Sequence, residues 1–214
     1  MTYRPPHVRE DDHAVLLPLI AGNPLATLIT VAAGEPVVTY APLLLREDTA
    51  GALYLDGHIA RANDQWKHGD GRGVALFRIA EHYISPNWYA TKKNDPRVVP
   101  TYDYVAIEAR GGVRFIQDRD WLDAFVRRLT DSQEARVRSD WSVDDAPADY
   151  IDAQLKAIVG LELRVDSLTG LFKLNRNHPA ENIETITTGL KNLATAQARG
   201  LAAFMGTAAT PKRE

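Results

Sequence analysis

The first third of the chain alternates short apolar runs with turn residues. Residues 25–31 are rich in β-branched and apolar side chains, the turn sequence Gly-Glu-Pro occupies 34–36, and a second apolar run covers 37–45. After a polar stretch that ends at Gly51, a third run follows at 52–59. Apolar runs of this length between Gly and Pro residues are typical of β-strands. We therefore predict two antiparallel strands joined by a tight loop, followed by a third strand.

The strand pattern returns later in the chain. Residues 74–79 form one apolar run, and the glycine-rich loop GDGRG that precedes it lacks the Lys-Ser/Thr ending of a phosphate loop. Residues 98–117 predict a strand, a turn at Gly111 and Gly112, and another strand. Residues 161–166 alternate between apolar and charged side chains, which predicts a half-buried strand that continues into LFKLNRN.

Helical spacing of apolar residues occurs between and around these runs. Asp11 or Asp12 can cap a first helix, which Pro18 makes short or bent. Apolar residues recur at helical spacing over 121–129, and the polar sequence Thr-Asp-Ser at 130–132 is expected to end that helix. Two further helices are predicted, one that starts at Pro147 and one over 179–193, followed by a frayed tail.

The order of these elements predicts the fold class. Six or more short strands with few helices between them favour an antiparallel barrel with peripheral helices. A parallel nucleotide-binding sheet needs a helix after each strand, and that alternation is absent from the sequence. The predicted class is therefore mainly β with peripheral helices (α+β). We predict one domain over residues 1–178, with a C-terminal helix and tail over 179–214 packed on the same domain.

Composition excludes several classes of protein. The chain has 214 residues, of which 45% are hydrophobic and 25% charged, as in ordinary globular proteins. It has no cysteine, which excludes disulfides, thiolate catalysis and cysteine-ligated metals. The N-terminal residues lack the apolar core of a signal peptide, and no apolar run reaches the ~20 residues that a membrane-spanning helix needs. The expected location is the cytoplasm, with no membrane partner.

Charge and the scattered polar residues give no catalytic or metal site. The net charge of −3 does not favour nucleic-acid binding, which usually needs a basic surplus. The six histidines show no spacing suited to a metal ion. The sequence also lacks the Gly-x-Ser-x-Gly pattern of many serine hydrolases. We therefore assign no catalytic residue and no metal ligand.

The stretch from Gly57 to Tyr104 concentrates aromatic, amide and cationic side chains. It holds GHIARANDQW, HYISPNWY, a lysine pair and VVPTYDY. A flat, phosphorylated ligand needs this mixture, because rings pack against its planar part while cations and amides bind its polar groups. A dimer interface can use the same side chains. Both interpretations stay open at the level of composition.

Several separated motifs resemble those of a known family. GHIARANDQW at 57–66, HYISPNWY at 82–89, VVPTYDY at 98–104 and LFKLNRN at 171–177 occur in this order in the sequence. Together they resemble the PaiB family of FMN-binding negative transcriptional regulators, which is similar to the flavin-binding split-barrel proteins. The resemblance implies an antiparallel split β-barrel of the FMN-binding type. It also implies a homodimer that holds FMN, a flavin nucleotide, at its interface.

The resemblance assigns individual residues to the cofactor. Arg61 and Lys92 can supply cations to the phosphate, and Trp66 and Trp88 offer flat surfaces to the isoalloxazine ring. The 82–92 segment is expected to reach the cofactor of the partner subunit. The predicted cofactor-binding residues are His58, Arg61, Asn63, Gln65, Trp66, Ser85, Trp88, Lys92 and Lys173.

Ordinary structural interpretations compete with this assignment. Each tryptophan alone can be core or interface packing, and Arg61 can pair with Asp56 or Asp64 at the surface. The chain also departs from the family pattern as we expect it. Tyr40 replaces a histidine, Asn87 replaces the serine of SPSWY, and KLNRN with Asn175 and Arg176 replaces KLSQN.

The sequence leaves several functions open. The leading hypothesis is an FMN-binding dimer with a regulatory role, although no helix-turn-helix pattern supports direct contact with DNA. A flavin-dependent oxidoreductase, such as a flavin reductase or a relative of pyridoxamine-phosphate oxidase, is the alternative. A haem-binding relative with His58 or His82 as axial ligand is a weaker one. The last hypothesis is a structural dimer that binds no ligand.

Overall fold

The computed structural model describes residues 4–207. Eight strands form a sheet in the order β3-β2-β6-β7-β8-β5-β4, with β1 paired to β8. The pairs β1–β8, β2–β3, β2–β6, β4–β5 and β5–β8 are all antiparallel. The strands are β1 (Arg9–Glu10), β2 (Leu25–Ala32), β3 (Glu35–Pro42), β4 (Leu44–Glu47), β5 (Leu53–Ala60), β6 (Gly71–Ile84), β7 (Thr101–Ile116) and β8 (Ile158–Lys173).

Five α-helices and four short 3-10 helices complete the described chain. The α-helices are α1 (His13–Gly22), α2 (Arg119–Val137), α3 (Ala148–Lys156), α4 (Ala180–Asn192) and α5 (Ala196–Thr207). The 3-10 helices are Asp64–His68, Pro86–Trp88, Ala90–Lys93 and Val143–Asp145. None of the helices within residues 4–207 combines the length and the apolar character needed to cross a membrane.

The chain divides into two compact units. The terminal unit comprises residues 4–19, 78–108 and 169–207, and the central unit comprises residues 20–77 and 109–168. Strands β6, β7 and β8 contribute residues to both units. The predicted boundary at residue 178 stays a prediction.

Alternating side chains build the core of the central unit. Leu28 on β2, Leu55 on β5, and Leu161 and Leu163 on β8 are fully buried. Helix α2 begins at a cap in which the Asp118 carboxylate accepts from the Trp121 backbone N–H at 2.8 Å. The predicted half-buried strand is confirmed.

The terminal unit has its own apolar core. Leu16 of α1, Ile107 of β7, and Ile186 and Leu190 of α4 are fully buried. Gly170 of β8 has no space for a side chain, because an added Cβ would lie 2.7 Å from Leu16 Cδ2. The close approach of α1 to β8 therefore depends on a glycine at this position.

The predicted strand boundaries differ from the structure in two places. The apolar run over 37–45 is two strands, because β3 ends at Pro42 and β4 begins at Leu44. The turn predicted at Gly111 is wrong, since β7 runs through that position without interruption. An added Cβ at Gly111 would lie 1.6 Å from the carbonyl oxygen of Arg164, so the glycine permits a close backbone approach rather than a turn.

The predicted helix ends also differ. Helix α2 continues through 130–132 to Val137, and Ser132 Oγ donates to the Leu129 carbonyl inside the helix. The helix ends where Arg138 adopts a left-handed conformation with φ of 58°. Part of the predicted frayed tail is helix α5, and the rest of that tail lies outside the described residues.

Candidate functional site

The Gly57–Trp66 segment leaves strand β5 and enters a 3-10 turn. Asn63 caps this turn, because its Oδ1 accepts from the Gln65 backbone N–H at 3.0 Å. The Asn63 amide also donates to Thr39 Oγ1 at 2.8 Å. Both polar ends of Asn63 therefore fix the loop, and one of its two amide protons stays free for another acceptor.

Arg61 is held in one orientation by three acceptors. Its guanidinium donates to the Lys156 carbonyl at 2.7 Å, to Gln117 Oε1 at 2.8 Å and to the Ile158 carbonyl at 3.0 Å. The group lies 5.6 Å from the centre of the Trp66 ring, and Trp66 Nε1 donates to the Arg61 carbonyl at 2.9 Å. A guanidinium has five N–H donors, so two remain for a ligand.

Arg61 opens onto a small pocket of the central unit. The pocket has a volume of about 150 Å³, and Arg119, Asp152 and Lys156 also line it. The Asp152 carboxylate pairs with Arg119, whereas Lys156 contributes a further cation at the rim. The pairing of Arg61 with Asp56 or Asp64 that we considered is wrong. Asp56 binds Arg46 and Arg128 instead, and Asp64 binds Lys67.

His58 and Gln65 lie deeper in the central unit. The His58 ring meets Phe125 edge-on at 5.7 Å, and burial lowers the pKa of the imidazole, which favours its neutral form. Gln65 is buried and donates to Thr30 Oγ1 at 2.8 Å. His58 Nδ1 and Gln65 Oε1 are both buried without a hydrogen-bond partner in the described chain.

Three predicted residues share one segment of the terminal unit. Ser85 Oγ caps the 3-10 turn Pro86–Trp88 by accepting from the Asn87 N–H at 3.2 Å. Lys92 is exposed, and its ammonium donates to Asn87 Oδ1. The Trp88 ring packs against helix α4, where an added Cβ at Gly189 would lie 2.6 Å from it.

Lys173 lies elsewhere in the same unit, at the end of β8. Its ammonium donates to Thr101 Oγ1 and to the Tyr102 carbonyl, and it lies 3.9 Å from Asp103 Oδ1. Asp103 is fully buried, and its other oxygen accepts from Asn175 Nδ2 at 2.8 Å. Burial raises the pKa of Asp103 to about 7, and the Lys173 charge opposes that rise.

The structure thus divides the predicted cofactor residues between the two units. The central unit holds His58, Arg61, Asn63, Gln65 and Trp66, and the terminal unit holds Ser85, Trp88, Lys92 and Lys173. Sequence reasoning did not single out Lys156 or Asp103. Asp103 belongs to the VVPTYDY motif, but a carboxylate in a motif carries no sign of its burial.

The comparisons with known proteins agree with the flavin assignment. A family model described as "Putative FMN-binding domain" matches residues 2–167. The Bacillus subtilis protease synthase and sporulation protein PAI 2 is 23% identical over 95% of this chain and 96% of its own length. An uncharacterised Emericella nidulans protein is 28% identical over 85% of this chain and 87% of its own length.

Solved structures share the fold at low sequence identity. The FAD and heme binding protein from Mycobacterium smegmatis has a TM-score of 0.57 at 16% identity, over 85% of this chain and 80% of that one. The flavocytochrome Anf3 from Azotobacter vinelandii has a TM-score of 0.54 at 14% identity, over 77% of this chain and 69% of that one. The predicted class, an antiparallel split barrel with peripheral helices, is confirmed.

Proposed function

This chain belongs to the family described as "Putative FMN-binding domain", and we propose that it is a homodimeric FMN-binding protein whose Gly57–Trp66 segment holds the cofactor phosphate. The matched range includes that whole segment. Lys173 lies beyond the matched range, so the family match does not bear on its predicted contact with the cofactor.

The observation that carries the proposal is the fixed guanidinium of Arg61. Three acceptors and the Trp66 ring hold it at the rim of a pocket, and two of its donors are still free. A cation that is already oriented loses little conformational freedom when it binds a phosphate. Lys156 lines the same pocket and adds a second cation to it. These groups fit a phosphate.

The other predicted residues have different parts in the proposal. Trp66 offers a ring surface next to the guanidinium, and bound FMN supplies the redox chemistry of its isoalloxazine. His58 and Gln65 stay predicted contacts, and their buried unpartnered atoms are the reason to keep them in the set. Ser85, Trp88 and Lys92 are proposed to reach the cofactor held by a partner subunit.

An apolar sheet face supports the dimer. Leu25 and Val31 on β2 are both 65% exposed, and Val38 and Tyr40 on β3 are 51% and 72% exposed. Tyr40 lies opposite Thr27 and Val38 lies opposite Ile29, so these side chains share one face of the β2–β3 pair. Contiguous exposed apolar surface of this kind commonly marks a protein interface.

The regulatory role belongs to the same proposal and rests on the family resemblance. The sequence has no helix-turn-helix pattern, so we propose that any effect on transcription passes through the flavin or a further partner. Promoter DNA should keep its electrophoretic mobility at low salt and high protein concentration. A retarded band under those conditions would establish direct DNA binding and refute the indirect route.

The cofactor is tested by spectroscopy and by titration of Arg61 variants. The purified protein should show flavin absorbance, and sedimentation should give twice the 23.7 kDa mass of one chain. Arg61→Ala should weaken FMN binding by about 10- to 100-fold, because each charge-assisted hydrogen bond contributes about 1.5–3 kcal/mol. Arg61→Lys should recover part of the affinity.

The matched control is Arg72→Ala, which removes an exposed arginine of the same unit whose partner is Asp166. It should leave FMN affinity unchanged. Urea unfolding of both variants separates loss of binding from loss of folding, since Arg61 also joins three acceptors. Equal FMN affinity in folded Arg61→Ala and wild-type protein would exclude the proposed phosphate site.

A flavin-dependent oxidoreductase is the second candidate, supported by the fold that this chain shares with the flavocytochrome Anf3 and with the FAD and heme binding protein. Bleaching of the flavin by NADH or NADPH would support this candidate. The weaker haem alternative predicts a Soret band in the same absorbance spectrum.

A further inference from the structure

The terminal unit contains a cleft that the proposed phosphate site does not use. It has a volume of about 310 Å³. Its walls come from the segment before β7, from the turn after β8, from Tyr89 and from His7 near the N-terminus. The lining residues that bear on binding are Tyr89, Val98, Val99, Lys173, Asn175 and His178. A space of this size accommodates a small molecule.

The polar lining of the cleft is basic and neutral. Two of the described lining side chains are cations, two are histidines, two are amides, and none is a carboxylate. Burial lowers the pKa of His178, which favours its neutral form. The Arg97 guanidinium is 2.8 Å from the Asp95 carboxylate, which offsets its charge. Lys173 is better placed, because its ammonium uses two donors on neutral oxygens and has a third donor free. Lys173 is therefore the main cation available in the cleft.

The buried Asp103 carboxyl next to Lys173 offsets only part of the positive charge of the ammonium. Asp103 is fully buried 3.9 Å from the Lys173 ammonium, and its Oδ1 has no hydrogen-bond partner in the described chain. Because burial raises the pKa of Asp103 to about 7, the carboxyl is largely neutral below that pH. The site thus combines a cation with a carboxyl whose negative charge is suppressed.

Three of the lining residues, Asn175, Tyr89 and His178, contact one another. Asn175 adopts a left-handed conformation with φ of 54°, and its side chain hydrogen-bonds with both Asp103 and the Tyr89 hydroxyl. The Tyr89 ring in turn lies 5.3 Å from the ring of His178. Asn175 is one of the residues that departs from the KLSQN pattern, so this chain's own sequence supplies the group that fixes Asp103 in place.

We propose that this cleft binds a small molecule that carries a carboxylate or phosphate group on a planar apolar body. The oxyanion pairs with the Lys173 ammonium. The apolar body packs against Tyr89, Val98 and Val99. The cleft is lined by terminal-unit residues alone, whereas the Gly57–Trp66 segment belongs to the central unit, and the proposal assigns Lys173 to a second ligand instead of FMN.

Phenyl phosphate and benzoate are suitable probes, because each joins a ring to one of the two oxyanions. Both are titrated calorimetrically into protein saturated with FMN and into FMN-free protein, with inorganic phosphate as the probe that lacks the ring. We expect binding of at least one ring-bearing probe in both forms of the protein, tighter than that of inorganic phosphate. The tighter of the two identifies the oxyanion.

Val99→Glu is the sharpest variant, since Val99 is 74% exposed and its replacement leaves the interior intact. The new carboxylate should weaken probe binding at least tenfold by repulsion. Lys173→Met should have a similar effect, whereas Lys173→Arg should retain most of the affinity. Lys93→Met, which removes an exposed lysine that does not line the cleft, is the control and should bind as the wild type does.

Two outcomes would overturn the proposal. One is the absence of heat for both ring-bearing probes at concentrations of about 10 mM, well above the millimolar Kd of weak binding. The other is binding that FMN abolishes by competition, which would make the cleft part of the flavin site. Arg61→Ala tests the phosphate site, and the probe titrations test the cleft. If Arg61→Ala loses FMN binding but binds the probes as the wild type does, the two sites are independent. Failure of one proposal is therefore distinguishable from failure of the other.

Discussion

Replacement of Asp103 by asparagine should change how the stability of the protein depends on pH. The carboxyl is fully buried in the terminal unit, and Asn175 Nδ2 donates to one of its oxygens at 2.8 Å. An asparagine has nearly the same shape and keeps an oxygen that can accept this hydrogen bond. Asp103→Asn therefore removes the titration of the group while it preserves most of the local packing.

The size of the effect follows from the pKa of Asp103. The ordinary value is 3.8, and burial raises the pKa to about 7 in the folded protein. Between these values the folded state binds more protons than the unfolded state, so the free energy of unfolding falls as the pH rises from about 4 to about 7. At about 1.4 kcal/mol per pKa unit, the free energy of unfolding is lower by about 4 kcal/mol above that pH window than below it. About 3 kcal/mol of this loss falls between pH 5 and pH 8.

The assay is urea unfolding of the wild type and of Asp103→Asn at several pH values, followed by tryptophan fluorescence and circular dichroism. The difference between the two proteins cancels the histidines, which titrate in both. As the pH rises from 5 to 8, the free energy of unfolding of Asp103→Asn should increase by about 3 kcal/mol relative to that of the wild type. Asp140→Asn, which changes an exposed carboxyl, should follow the wild type. Parallel pH profiles for Asp103→Asn and the wild type would refute the raised pKa.

Two further predictions concern stability alone, and urea unfolding measures both. Gly111→Ala should destabilise the protein by about 2–4 kcal/mol, because the added Cβ would meet the Arg164 carbonyl. Gly112→Ala should destabilise it by less than about 1 kcal/mol, because there is open space around that position. Equal losses of stability in the two variants would disprove the close approach. Asp56→Asn should cost about 2–3 kcal/mol, since a buried carboxylate between two half-exposed arginines is lost. Asp64→Asn, at an exposed pair, should change stability by less than about 0.5 kcal/mol, and a similar loss in both variants would contradict the role of burial.

Local patterns predicted most elements but misjudged some of their ends. The sequence Thr-Asp-Ser at 130–132 is a stop signal because these side chains compete for backbone hydrogen bonds. In the structure, Ser132 Oγ instead donates to the Leu129 carbonyl within α2, and the helix continues. Similarly, Gly111 and Gly112 form a turn signal that the sheet overrides, because Gly111 lies against the backbone of β8.

The candidate site was likewise predictable only in part. The motifs around Arg61 and Trp66 pointed to a phosphate and a ring surface, and the structure places the guanidinium next to that ring. The partners of Arg61 were not predictable, because two of them are backbone carbonyls at Lys156 and Ile158, far along the chain. Backbone acceptors have no signature in a sequence.

The sequence by itself determined the antiparallel strand pattern and the family, because both are written in the order and spacing of side chains. The tertiary structure alone decided the ionisation of Asp103. Its pKa depends on the exclusion of water and on the charge of Lys173, which is about seventy residues away in the chain. A carboxylate looks the same in a sequence whether it is solvated or buried, and only folding makes the difference.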